Sequence, residues 1–77
     1  MNNNQKIVLN HLKRMNPPEL KMSPMVTIYS LVDDNINDNW ELSHDKIPEC
    51  IDALRKLDNK QEIEVLLAFA EWAELMR

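Results

Sequence analysis

Apolar residues come round every three or four positions through most of this 77-residue chain, which is the period of an amphipathic helix rather than a strand. The first such segment, about 4–15, sets Val8, Leu9, Leu12 and Met15 on one face. Pro17 and Pro18 end it, because neither offers a backbone N–H and each disfavours helical geometry in the residue before it. The second, about 24–32, opens on Ser23-Pro24, a hydroxyl that can cap free amides followed by a residue suited to the first helical position. Met25, Ile28, Tyr29 and Val32 then fall at i, i+3, i+4 and i+7, and Asp33-Asp34-Asn35 is expected to turn the chain out of the helix. In the polar connection 33–44, Ile36, Trp40 and Leu42 are expected to pin the loop to the core. The third helix, about 46–57, is expected to start after Asp45 with Pro48 in its first turn. Its stripe is Ile47, Cys50, Ile51 and Leu54, and Asp52 with Lys56 makes a favourable i, i+4 pair. Asp58 and Gln61 have the spacing of a capping box, and from Asn59 to Met76 nothing interrupts a fourth helix rich in Ala, Leu and Glu.

That last helix is apolar on too many sides. At about 100° per residue, Ile63, Leu66, Leu67, Ala70 and Ala73 form one sector and Val65, Phe69, Trp72 and Met76 the adjacent one. Together they exceed half the circumference, whereas a surface helix needs a stripe of roughly 100°. Two readings account for the width. In one, the fourth helix is central and enclosed by the other three. In the other, the sector of Phe69, Trp72 and Met76, with Val65 at its edge, stays open to another chain, since Trp, Met and Phe are enriched in interface cores. Both give one compact all-α domain over residues 1–77, four helices with the long C-terminal one at the centre.

Composition narrows the function more than any motif does. The chain contains no glycine. Gly-rich phosphate cradles, dinucleotide fingerprints and nucleophile elbows need backbone that a Cβ would obstruct, and tight two-residue hairpins mostly need glycine as well. The net charge of −4 is uneven. Residues 1–21 hold four bases and one acid, +3, and residues 22–77 hold five bases and twelve acids, −7. An acidic surface disfavours broad binding to a phosphate backbone. A single cysteine cannot close an internal disulfide, so a reducing cytoplasm is the expected compartment. The polar start Met1-Asn2-Asn3-Asn4-Gln5 is unlike a signal peptide, and the longest apolar run, Val65–Ala70, is too short for a membrane span. A core this small supplies roughly 3–5 kcal/mol, so self-association or a protein partner is expected.

Candidate chemistry is sparse. Asp33-x-Asn35-x-Asn37 has the alternation that opens a calcium loop, but Asp38 stands where the sharp turn needs glycine and His44 where the bidentate Glu belongs. Helix capping and local turns account for those side chains better. Cys50 is expected to act as a small hydrophobe on its stripe, His11 to be solvated, and His44 shares no short metal-ligand spacing with Cys50. No catalytic residue, metal or cofactor is implied. The leading reading is a non-enzymatic protein-interaction module using Val65, Phe69, Trp72 and Met76. The alternative is a nucleic-acid-associated regulator touching phosphates through Lys6, Lys13 and Arg14 of the basic first helix, or a DNA mimic built from the acidic remainder.

Three stretches taken together, Gln5-Lys6-Ile7-Val8-Leu9 with Leu12-Lys13, Ser23-Pro24 with Thr27-Ile28-Tyr29, and Glu62-Ile63-Glu64-Val65-Leu66 with Phe69-Ala70-x-Trp72-Ala73, resemble small helical phage and prophage proteins of low-GC Gram-positive bacteria. The resemblance spans most of the chain and implies a phage-type accessory protein with no established activity. It brings no catalytic or binding residues with it.

Overall fold

A computed structural model describes residues 1–37 and 47–76. Among them are four α-helices and no strand: α1, Asn3–Met15; α2, Pro24–Asn37; α3, Glu49–Arg55; and α4, Asn59–Leu75. A single 3-10 turn, Pro18–Leu20, lies between α1 and α2. It closes on Lys21, which takes the left-handed conformation at φ 48° with its N–H on the carbonyl of Pro18, 3.3 Å away. Glycine is the usual residue there, and the chain has none to place.

Local chemistry explains the helix starts. The carboxylate of Asp58 accepts the Gln61 N–H at 2.8 Å while the Gln61 side chain accepts the Asp58 N–H at 3.0 Å, the reciprocal box expected from the spacing. Asn2 and Gln5 form a second such box at the head of α1, with distances of 2.8 and 2.7 Å. Ser23 Oγ accepts the Val26 N–H at 3.4 Å ahead of α2, and Lys56 meets Asp52 at 3.1 Å across one turn of α3.

α1 is the hub. It packs against α2, α3 and α4, whereas α4 packs chiefly on α1. The all-α, four-helix architecture is therefore as expected, but the N-terminal helix holds the middle and α4 lies against one side of it. The buried core draws Val8 and Leu12 from α1, Leu31 from α2, Ile51 and Ala53 from α3, and Val65 and Phe69 from α4. The bundle is a slab, 36 × 27 × 16 Å between Cα extremes. That thickness is little more than two helix layers.

Two boundaries differ from the expected ones. α2 does not turn at Asp33-Asp34-Asn35 but runs through Asn37. Side chains satisfied along the helix offset the turn preference of these residues: Asn37 Nδ2 donates to Asp33 Oδ1 at 2.6 Å, and Arg55 of α3 donates to the Asn35 side chain at 2.8 Å and its carbonyl at 3.0 Å. α3 begins at Glu49, later than expected, with Pro48 as its cap residue rather than within its first turn. The expected start at Asp45 and the pinning residues Trp40 and Leu42 lie outside the described residues, while Ile36 is helical and exposed.

Candidate interaction surface

The face of α4 that meets α1 is the Val65–Phe69–Ala73 side. Val65 and Phe69 are buried, Phe69 completely at 0% exposure, and both belong to the core. Phe69 stacks on the half-buried Trp72, ring centroids 6.0 Å apart and planes 21° from parallel. Lys13 of α1 brings its Nζ to 5.8 Å from the centre of the Trp72 ring, a cation–π contact that fixes both side chains. Met76, at the end of the same line, is 50% exposed. Of the four residues expected to meet a partner, then, two are core, Trp72 is partly covered by its own chain, and only Met76 stands open. The inward face of α4 is therefore the aromatic sector joined by Ala73, which the expected division placed in the other sector.

Of the other sector, all but the buried Ala73 face solvent: Ile63, Leu66, Leu67 and Ala70 are exposed, Leu67 at 66%. A second open stripe lies on α2, where Met25, Tyr29, Val32 and Ile36 are exposed, Met25 at 80%. Their spacing of four, three and four is the seam period of a two-helix coil. The sequence expectation placed Met25, Ile28, Tyr29 and Val32 inward. In the structure α2 instead turns Thr27 and Leu31 to the core with Ile28 half-covered. Thr27 tolerates complete burial because its hydroxyl donates to the Ser23 carbonyl of its own helix at 3.2 Å. That internal bond offsets the cost of burying the hydroxyl.

Between these stripes runs an open groove of about 370 Å³. Val8 and Leu12 of α1 are among the lining residues, with Leu31 and Val32 contributed by α2, Leu54 by α3, and Val65 and Leu66 by α4. Val32, Ile36 and Leu66 belong both to the groove and to the exposed set, and Asn35, Arg55 and Glu62 add polar groups to its wall. Among the described residues, thirteen large hydrophobic side chains are exposed and eight hydrophobic residues are buried. An isolated exposed leucine needs no explanation, whereas exposed apolar residues on two helices flanking one groove form a candidate interaction surface.

The polar groups of the described residues that bear on chemistry are few. The three residues of the calcium-like alternation lie on helix α2, where successive members are about 200° apart and cannot converge on one ion. Among the described residues no three His, Cys, Asp or Glu side chains gather as a metal would need. His11 is half-buried rather than solvated; burial lowers its pKa from the ordinary value, Arg14 pushes the same way and Asp34 opposes. Burial raises the pKa of the half-buried Cys50 thiol, with partial relief from the backbone N–H groups of Ile51 and Cys50 and from Arg14. A thiol held protonated in this way is a weak nucleophile. Of the basic residues on α1, Lys6 and Arg14 are exposed and Lys13 is engaged with Trp72.

Fold and surface together define a small all-α protein with an uncovered apolar face. No known protein family matches the chain, and neither a curated protein nor a solved structure is significantly similar to it. No helix among the described residues is long and apolar enough to cross a membrane.

Proposed function

We propose that the chain is a non-enzymatic protein-interaction module that docks through its C-terminal helix, on the outer strip of Ile63, Leu66, Leu67 and Ala70 rather than on the aromatic side. One observation carries the reading: the outer face of α4 leaves this strip in water and continues it into the groove beside α2. The lone thiol supports a reducing, intracellular setting. A phage or prophage setting rests on the resemblance of the three sequence stretches, and gene neighbourhood tests it.

The docking reading is tested with a photo-reactive phenylalanine analogue at Leu67 and, as control, at the exposed Lys6 on α1. Irradiation in the native cell should give covalent adducts to a protein chain from position 67, mapped by mass spectrometry, and far fewer from position 6. Equal yields from the two positions, or none from 67, would refute it.

A further inference from the structure

Resting on that docking reading, we infer that the occupant of the α4 strip is a second copy of this chain, with the two α4 helices antiparallel about a two-fold axis beside Leu67. Lys60, Ile63, Leu67, Ala70 and Glu74 follow one another at intervals of three, four, three and four, a single line along the helix. All five are exposed. Antiparallel pairing sets Lys60 level with the partner's Glu74 at both ends and Leu67 against its own copy, with Ile63 and the partner's Ala70 offset by one residue, about 1.5 Å along the axis. Parallel pairing would set lysine on lysine and glutamate on glutamate.

The placement of the charges agrees. Lys60 lies in the first turn of α4 and Glu74 in the last, each at the end where the helix dipole disfavours its sign. Within one chain both are slightly unfavourable. In the antiparallel pair each lies about 21 Å along the helix from its opposite number and meets the complementary charge of the partner. The other exposed stripe has no such match, since α2 carries no basic residue over Pro24–Asn37 and two acids, Asp33 and Asp34, toward its C-terminal end.

The available surface is consistent with a dimer. The chain exposes 5439 Å². A compact monomer of 9.1 kDa exposes about 4,900 Å². The chain thus exposes about 500 Å² more than a compact monomer of its mass.

Sedimentation equilibrium from low micromolar to near-millimolar protein tests the inference. The mass should rise with concentration from 9.1 kDa toward twice that value. Lys60→Glu and Glu74→Lys should each weaken the dimer at least about tenfold, because each replaces two attractive contacts with two repulsive ones. The double swap should restore it to within about threefold, and Leu67→Asp, which sets two carboxylates on the axis, should weaken it more than about a hundredfold. In a Cys50→Ser background, mixing Ile63→Cys chains with Ala70→Cys chains should give a disulfide-linked dimer faster than either chain alone. A monomer at every concentration overturns the inference, as does a dimer lost with Tyr29→Asp but indifferent to Leu67→Asp. If position 67 still crosslinks to a different protein while the chain stays monomeric, self-pairing fails and the docking reading stands. If it crosslinks to nothing, both fail. Circular dichroism on each variant confirms that these surface changes leave the fold intact.

Discussion

Gln5 offers the sharpest check on how the bundle is held. It is a side chain of α1 that is only 2% exposed, yet polar. Its Oε1 accepts the Asn2 N–H at 2.7 Å, and its Nε2 donates to the Gln61 carbonyl at 3.2 Å and to Glu64 Oε2 at 3.0 Å. One amide thus caps its own helix and ties the start of α1 to the first turns of α4. Gln5→Met keeps the shape and removes all three bonds. The Asn2 side-chain cap on the Gln5 N–H survives, so the loss comes from the reciprocal bond to the Asn2 N–H and the two bonds to α4, together about 2 kcal/mol. Gln5→Glu keeps the acceptor but replaces the donor with a charge facing a carbonyl and a second carboxylate. At neutral pH the loss should reach about 3 kcal/mol, most of what so small a core provides. The buried carboxyl would have its pKa raised above the ordinary value near 4.3, so it regains a proton, and a donor, as pH falls. Its deficit relative to the unaltered chain should therefore shrink between about pH 7.5 and pH 5, while the Met deficit stays constant. Urea unfolding followed at 222 nm, at one fixed protein concentration, measures both. Equal deficits for the two variants, unchanged across that range, would refute the donor role assigned to Gln5.

Other expectations follow from single contacts. Phe69→Ala should cost about 3–5 kcal/mol and leave the chain largely unfolded by circular dichroism, because the ring is fully buried and stacked on Trp72. Lys21→Gly should raise stability by several tenths of a kcal/mol to about 1, by relieving the left-handed strain at φ 48°, and a lower urea midpoint would count against that strain. The lowered pKa of His11 means that the unfolded chain takes up a proton first as pH falls below about 6.5. His11 stability is therefore complete above that value and declines through the folded-state pKa. His11→Gln should flatten the slope of melting temperature against pH in that window, and an unchanged slope would assign the titration elsewhere.

Much of the fold is legible in the chain because it is written locally. The boxes at Asp58 and Gln61, the stop at Pro17-Pro18 and the stripe of Val8 and Leu12 involve residues within one or two turns, where spacing fixes geometry. The rotation of α2 is not local. Its two faces differ little in apolar content, and the choice between them depends on Thr27 satisfying itself and on Arg55 holding Asn35 from twenty residues away. The same holds for α4, where periodicity delimits the two sectors but Trp72 turns inward because Lys13 and Phe69 await it. Gln5 was not visible as a core residue because its partners are more than fifty positions distant. A signal for the open face did exist: Met25, Tyr29, Val32 and Ile36 keep a strict seam spacing, which a helix facing a broad globular core has no need to keep.

The position of the hub helix at the front of the chain bears on how the protein is made. A ribosome delivers α1 first, but the surface that completes its burial is α4, synthesised some fifty residues later. Until that last segment leaves the exit tunnel, Val8 and Leu12 have no finished pocket, and the nascent polypeptide must carry them as an unclosed, chaperone-accessible stretch. The α1–α3 face can pack before then, and docking of α4 against α1 closes the core last.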